Sequence, residues 1–142
     1  MKLIKRLLFR EKLSHTRFSL VILAARIVFG LMFLSHGIAK WIAFEETSLN
    51  FPDPLGIGST LSFSLVIFAE VFCSIGFIMG ALFRLCLIPM IVTMCVAFFV
   101  IHANDPFAIK ELALIYLLIF VLMFFTGPGK YSIDALIHRM ME

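Results

Sequence analysis

The segment that decides the fold is FSLVILAARIVFGLMFLSHGIAKW, residues 18–41. It is long enough to cross a bilayer, because a transmembrane helix needs about 20 mainly apolar residues. Three further stretches have the same character, at about 59–81, 83–102 and 111–127. Of the 142 residues, 62% are hydrophobic and 15% are charged, whereas a soluble domain is roughly half apolar and a quarter charged. We therefore predict an all-α fold, an integral membrane four-helix bundle that forms a single domain over residues 1–142.

Short amphipathic segments flank the four predicted helices. Residues 1–13 place apolar residues at helical spacing among basic ones, which fits a helix in the headgroup plane or a tail that only carries charge. The sequence Gly127-Pro128-Gly129 ends the last apolar run, since glycine and proline stop helices. Residues 132–142 then form a second amphipathic pattern, with Ser132 as a reasonable N-cap. We expect interfacial segments at both termini.

Basic residues are distributed unevenly between the two sides of the predicted bundle. Six precede the first helix, Arg84 lies between the second and third, and Lys130 and Arg139 follow the fourth. Because loops rich in Lys and Arg stay in the cytoplasm, we expect both termini to be cytoplasmic and the first helix to be retained rather than cleaved as a signal peptide. The net charge of +3 is then a topology signal, and no nucleic-acid binding is expected.

Ionisable residues interrupt the apolar segments, and such residues usually face the interior of a bundle. Arg26 lies about nine residues from the cytoplasmic end of the first segment, and Glu70 lies about ten from that end of the second. Antiparallel neighbours place these residues at similar depth. We predict an Arg26–Glu70 ion pair near the midplane, either as a structural pair that fixes helix register or as part of a working site.

A second polar cluster lies toward the outer ends of the helices. His36 and Lys40 are one turn apart, His102 ends the third segment and Glu111 starts the fourth. These four could converge on an outward-facing pocket that holds a quinone carbonyl, an anion or a lipid phosphate. Histidine exchanges protons near neutral pH, which suits proton transfer to a quinol, with Glu111 as the balancing acid. The alternative is that these are interface residues, with Glu111 only favourable at a helix start.

Neither a metal site nor a thiol site has a clear pattern. Two His and one Glu raise the question of a metal, but they come from three helices without a Glu-x-x-His spacing, so we expect none. Cys73, Cys86 and Cys95 lack a Cys-x-x-Cys spacing, and we interpret them as small packing residues. A redox pair stays open if Cys73 meets a cysteine of another helix.

Proline and glycine mark two further features. Residues 42–58 form a long loop broken by Pro52, Pro54 and Gly56, and it either folds back over the outer mouth as a lid or serves as an interfacial connector. Pro89 lies within the third apolar segment and is expected to kink or widen that helix.

The combination of motifs resembles the DoxX family of small four-helix bacterial membrane proteins. The match consists of GPGKYSID at 127–134, His36-Gly37-x-x-Lys40 near the end of the first helix, and Glu70 in the second. It covers about residues 24–138. The chain departs from the family pattern at Cys73 and Ser74, where glycines are expected. The resemblance implies a bacterial inner-membrane location.

The DoxX family is similar to membrane subunits associated with thiosulfate–quinone oxidation. This resemblance implies a quinone link for His36, Lys40, Glu70, His102 and Glu111. The sequence has no dinucleotide fingerprint, haem motif or iron–sulfur spacing, so a redox role requires a partner protein, and whether the chain is an enzyme stays open. The leading expectation is a redox-linked component that binds a quinone or lipid-like ligand. The alternatives are a non-catalytic scaffold or assembly subunit and a small-molecule or lipid transporter. The oligomeric state is a separate open question, and a homo-oligomer is one answer to it.

Overall fold

The computed structural model describes residues 14–142 and contains only helices over that range. The elements are α1 (His15–Ile42), the short α2 (Phe44–Thr47), α3 (Ser59–Met79), α4 (Phe83–Ile101), α5 (Phe107–Thr126) and α6 (Ile133–Met141). The helices α1, α3, α4 and α5 are long and apolar enough to cross a membrane. The prediction of an all-α membrane bundle is therefore confirmed. The interfacial segment predicted at residues 1–13 lies outside the described residues.

Two of the long helices begin earlier than hydropathy indicates. Ser14 caps α1, because its hydroxyl accepts a hydrogen bond from the Arg17 amide. Helix α5 begins at Phe107, directly after Pro106 and four residues before the predicted start at 111. The last element, α6, is the predicted helix after the glycine stop, and the Ser132 hydroxyl caps it by accepting from the Ala135 amide.

The bundle has two unlike ends, which we name for what they contain. The terminal end comprises residue 14, the α3–α4 turn at 80–82 and the segment 127–134. The loop end comprises residues 43–58 and 102–106. Helix α1 packs along α3, and α4 packs along α5. The half of α3 nearer the terminal end also contacts α4, whereas its loop-end segment Ser59–Ile67 packs substantially only on α1 and its own helix. The two helix pairs are thus joined at the terminal end and separated at the loop end.

Two stretches of π-helix lie within the long helices, at Phe68–Cys73 in α3 and Ala97–Ile101 at the end of α4. The wider turn closes in α4 with the His102 amide donating to the Ala97 carbonyl at 3.0 Å. Such turns insert an extra residue into a helix and are frequent at functional sites. Here the first carries Glu70 and the second ends immediately before His102.

The terminal end is closed around the guanidinium of Arg26, whose residue is 1% exposed. Its nitrogens donate to the carbonyls of Phe77 at 3.1 Å and Ile78 at 2.6 Å, which are the last turn of α3. They also donate to the carbonyls of Pro128 at 2.8 Å and Tyr131 at 2.9 Å. One charged side chain therefore joins carbonyls at the end of α3 to carbonyls of the segment 127–134. The Phe77 carbonyl also accepts from the Gly80 amide.

The motif GPGKYSID continues this closure toward α4. The Asp134 carboxylate accepts from the amides of Leu82 at 2.8 Å and Phe83 at 2.9 Å, and so caps the start of α4. The Asp134 amide in turn donates to the Gly80 carbonyl. Gly80 has φ +67°, and a Cβ there would lie 2.7 Å from Nη2 of Arg26. Both the backbone conformation and the close approach require glycine at this position.

The predicted Arg26–Glu70 ion pair is wrong. Arg26 lies level with Phe77 and Ile78, while Glu70 lies level with Gly37, whose added Cβ would be 2.7 Å from the Glu70 backbone. Eleven residues of helix separate Arg26 from Gly37, a rise of roughly 16 Å. The depth estimate failed because α1 starts at His15 and extends past the end of α3, and because helical side chains point toward the N-terminus.

Candidate functional site

The separation of the helix pairs at the loop end leaves a cavity of about 390 Å³. Its walls come from α1, α3, α4 and α5, and residues 51–55 of the long loop lie against it. Most of the lining is apolar. The polar lining residues are His36, Lys40, Ser62, Glu70, Thr93, His102 and Tyr116. A mainly apolar pocket of this size with a few convergent polar groups is typical of sites for small organic molecules.

An ion pair lies at the side of the cavity formed by α1 and α3. Lys40 Nζ is 2.6 Å from Glu70 Oε2, and the two side chains are 32% and 4% exposed, respectively. Glu70 is thus paired, but with the lysine of the His36-Gly37-x-x-Lys40 motif rather than with Arg26. The absence of a side chain at Gly37 lets α1 approach the π-helical turn that carries Glu70. This close approach brings Lys40 within reach of the buried carboxylate.

A tyrosine that the sequence did not single out lies in the same cavity. The Tyr116 ring packs edge-to-face on His36, with ring centroids 6.1 Å apart. Tyr116 is 2% exposed, and its hydroxyl has no hydrogen-bond partner in the described part of the chain. Most buried polar groups in proteins are paired. The Ser74 hydroxyl is also buried and unpaired, but Ser74 does not line the cavity. Of these two unpaired hydroxyls, only that of Tyr116 therefore belongs to a residue that lines the cavity.

Another polar residue at the cavity is a histidine that is paired with an aspartate. His102 Nδ1 lies 2.6 Å from Asp105 Oδ2, and their side chains are 35% and 42% exposed. His102 lines the cavity, whereas Asp105 lies in the turn behind it. The sequence predicted the histidine as a site residue and gave no role to Asp105. The i,i+3 spacing of His102 and Asp105 is the signal that could have found the pair.

Glu111 does not join the predicted cluster. It is exposed and is not among the residues that line the cavity. Because α5 begins at Phe107, Glu111 lies in the second turn of that helix rather than at its start. The structure therefore brings together His36, Lys40, Glu70 and His102 around one cavity and leaves Glu111 and Arg26 outside it.

The long loop forms a roof over part of the cavity. Phe51 packs on Phe63 of α3 with ring centroids 4.5 Å apart, and Phe51, Pro52 and Pro54 line the cavity. The Asp53 carboxylate accepts from the amides of Ile57 and Gly58 and from the Ser62 hydroxyl. Hydrogen bonds from Ser62 and Gly58 lower the pKa of Asp53 below its usual value. These contacts fit the lid interpretation of the loop better than that of a simple connector.

The remaining candidates from the sequence are a metal site and a thiol site. Residues 14–142 hold no group of three or more His, Cys, Asp or Glu side chains arranged for a metal ion. Cys73, Cys86 and Cys95 are free thiols that lie in or against the hydrophobic core, and none lines the cavity. The side chains of Cys73 in α3 and Cys86 in α4 are hydrogen-bonded to one another, so Cys73 meets a cysteine of another helix, and the redox-pair alternative stays open beside a packing role.

Comparison with known proteins identifies the family. The model of the DoxX family matches residues 21–103. Two proteins of Haemophilus influenzae, each described as an uncharacterized protein, are similar to the chain. One is 28% identical over 116 residues, covering 76% of this chain and 77% of its own. The other is 32% identical over 116 residues, covering 77% and 84%. No solved structure gives a significant match. The chain belongs to the DoxX family.

Proposed function

We propose that this DoxX protein binds a membrane-soluble molecule with a small neutral polar head group, of the quinone or quinol class, in the cavity at the loop end. The proposal rests on one observation. In residues 14–142, the Tyr116 hydroxyl is buried without a hydrogen-bond partner, and Tyr116 lines a mainly apolar cavity that also contains the Lys40–Glu70 pair. A bound head group supplies the missing partner and leaves the apolar walls to a hydrophobic tail.

The walls of the cavity favour entry from the bilayer. Leu65 of α3 is 47% exposed, Val92 of α4 is 51% exposed, and both line the cavity. Residues that face the cavity and the outside at once mark an opening between these two helices. In a membrane, that opening faces lipid, while Phe51 and the prolines cover the cavity on the side of the long loop. A molecule dissolved in the bilayer reaches the site without crossing water.

The charges around the cavity favour a neutral head group over a phosphate or carboxylate. Lys40 is already paired with Glu70, and His102 is paired with Asp105. No lining cation is therefore left to balance an anion, apart from what His36 supplies when it is protonated. An unbalanced anion in an apolar cavity is costly. Carbonyl and hydroxyl groups, by contrast, match the hydrogen-bonding side chains present.

A quinone-class ligand links this site to redox chemistry in the bacterial inner membrane. The chain carries no sequence motif for a redox cofactor, so electrons come from or go to a partner protein, and this chain supplies the binding site and groups that exchange protons. Basic residues at the terminal end, among them Arg84, Lys130 and Arg139, support cytoplasmic termini. The cavity then lies toward the outer leaflet.

The test uses the two tyrosines as a matched pair. The full chain is expressed in a quinone-producing bacterium, extracted in mild detergent and examined by native mass spectrometry with identification of bound small molecules. We expect a retained quinone in wild type and in Tyr131→Phe, and about five-fold less in Tyr116→Phe, because one hydrogen bond is lost. Tyr131 is the control because its side chain is exposed and lies outside the cavity.

The contrary outcomes are distinct. Equal retention in both variants would remove the cavity as the binding site. A phospholipid retained in a Tyr116-dependent manner would overturn the choice of a neutral head group. A partner protein retained without any small molecule would favour the scaffold alternative.

A further inference from the structure

We propose that the His102–Asp105 pair makes the cavity selective for a head group that carries a hydroxyl, such as a phenol or the reduced form of a quinone. This inference rests on the proposed function, since it concerns the ligand of the same cavity. It identifies which chemical form is bound and names Asp105 as a positioning residue. It needs no electron transfer, because it concerns hydrogen bonding alone.

The chemistry follows from which nitrogen of His102 is occupied. Asp105 Oδ2 lies 2.6 Å from Nδ1, and a carboxylate only accepts hydrogen bonds. Nδ1 therefore carries the proton, and in the neutral ring Nε2 carries the lone pair. Nε2 has no hydrogen-bond partner in residues 14–142, and the ring lines the cavity. A residue that lines the cavity thus keeps an unpaired acceptor at Nε2, in a tautomer that Asp105 fixes.

An acceptor at this place distinguishes a hydroxyl from a carbonyl or an ether. A hydroxyl head group donates to Nε2, whereas a carbonyl or ether oxygen has no hydrogen to donate and faces a lone pair. Lys40 has donor capacity beyond its contact with Glu70, and the Tyr116 hydroxyl both donates and accepts. Among the groups that line the cavity, the Glu70 carboxylate and Nε2 of His102 both favour a hydrogen-bond donor on the ligand. The His102 acceptor is the one that depends on Asp105.

The experiment compares two probes that differ in one hydrogen and one methyl group and that do not interconvert by oxidation. These are 4-decylphenol and its methyl ether, 4-decylanisole. Binding of each is measured on the full chain in lipid nanodiscs, against empty nanodiscs. We expect the phenol to bind about five-fold more tightly than the ether, the size of one hydrogen bond.

The variants separate selectivity from folding. Asp105→Ala is expected to reduce the preference while both probes still bind, because the ring is then free to carry its proton on Nε2. Asn104→Ala, a truncation of the neighbouring exposed residue in the same turn, is expected to keep the full preference. His102→Leu is expected to show the same reduced preference as Asp105→Ala. Each variant is checked for an unchanged melting temperature, so that a loss of structure is recognised.

Failure of this inference and failure of the proposed function give different results. If both probes bind with a ratio that neither Asp105→Ala nor His102→Leu changes, His102 does not select the ligand, and cavity binding stands. If neither probe binds above the empty nanodisc, the proposed function fails and the inference fails with it.

Discussion

At the terminal end, the buried guanidinium of Arg26 donates to four backbone carbonyls. Toward the loop end, by contrast, the buried hydroxyl of Tyr116 has no hydrogen-bond partner in residues 14–142. Both ends contain polar side chains inside an apolar bundle, where such groups are costly. The difference lies in whether the protein itself completes their hydrogen bonds. Where it does, the polar group holds the architecture; where it does not and a cavity adjoins, the group is available to a ligand.

The two family motifs have different tasks, one at each end of the bundle. GPGKYSID at 127–134 supplies two carbonyls to Arg26 and the Asp134 carboxylate that caps α4. His36-Gly37-x-x-Lys40 supplies a glycine that lets two helices approach and a lysine that pairs with Glu70. The first motif therefore closes the bundle, while the second shapes the cavity.

The largest change in stability is expected for a substitution at the terminal end. Arg26→Lys retains the positive charge but cannot bridge carbonyls on α3 and on the segment 127–134 at once. Several buried carbonyls then lose charge-assisted hydrogen bonds, and we expect a loss of about 3 kcal/mol in the free energy of unfolding. The measurement is unfolding by SDS in mixed micelles, followed by circular dichroism.

The matched control is Arg84→Lys. Arg84 is exposed and donates one hydrogen bond, to the Phe124 carbonyl at 3.3 Å, so its replacement is expected to cost less than about 0.5 kcal/mol. Equal stability of the two variants would mean that the terminal end is not held by Arg26 and would remove the basis of the comparison.

The next largest change in stability is expected for substitutions in the Lys40–Glu70 ion pair toward the loop end. Lys40→Met leaves the carboxylate of Glu70, 4% exposed, without its partner, whereas Glu70→Gln leaves a lysine that is 32% exposed and reaches water. We expect losses of about 2 and about 1 kcal/mol, respectively. The double variant Lys40→Met/Glu70→Gln is expected to be more stable than Lys40→Met alone.

The same SDS unfolding experiment measures this cycle, with Lys110→Met as the control for loss of a lysine at the loop end. Lys110 is partly exposed and donates to a backbone carbonyl, that of Ala103. Strictly additive losses in the double variant would show that Lys40 and Glu70 do not depend on one another for stability.

The sequence predicts the fold well because the bilayer sets the length of each helix. It does not predict the depth of each residue, because depth depends on where a helix begins. The residues Ser14 to Arg17 are polar and carry no hydropathy signal, yet they belong to the cap and first turn of α1. Missing that turn is one part of the error that placed Arg26 beside Glu70. The other parts are that α1 extends past the end of α3 and that helical side chains point toward the N-terminus. The carbonyl partners of Arg26 are backbone atoms, which no side-chain pattern reveals.

The same limits apply to the candidate site. His36, Lys40, Glu70 and His102 are conspicuous as ionisable residues in apolar segments, and the structure brings them to one cavity. Tyr116 is not conspicuous, since a tyrosine in a transmembrane helix resembles any other aromatic packing residue. Its importance depends on an unpaired hydroxyl, which is a property of the folded chain alone.

A smaller effect is expected at Asp134, one of two aspartates that accept hydrogen bonds from backbone amides next to the start of a long helix. Asp134 accepts from the first amides of α4 at the terminal end. Asp134→Asn keeps the size of the side chain but loses the charge and one acceptor oxygen, and we expect a loss of about 1 kcal/mol. The loop-end cavity is distant from this cap, so binding of 4-decylphenol is expected to be unchanged. A large loss of binding in Asp134→Asn would show that the two ends are coupled.

The smallest effect concerns Asp53, the corresponding aspartate at the loop end. Hydrogen bonds from Ser62 and Gly58 lower the pKa of Asp53 in the folded protein. A carboxylate whose pKa is lower when folded stabilises the fold above its unfolded pKa, about 3.9, and this contribution is lost as the pH falls through the folded pKa. The difference in Tm between wild type and Asp53→Asn is therefore expected to be constant above about pH 5 and to shrink in stronger acid. Glu46→Gln, in the exposed part of the same loop, is expected to show no such difference. A pH-independent difference for Asp53→Asn would mean that the roof is held by Phe51 and Phe63 rather than by the carboxylate, and that the cavity is covered by apolar packing alone.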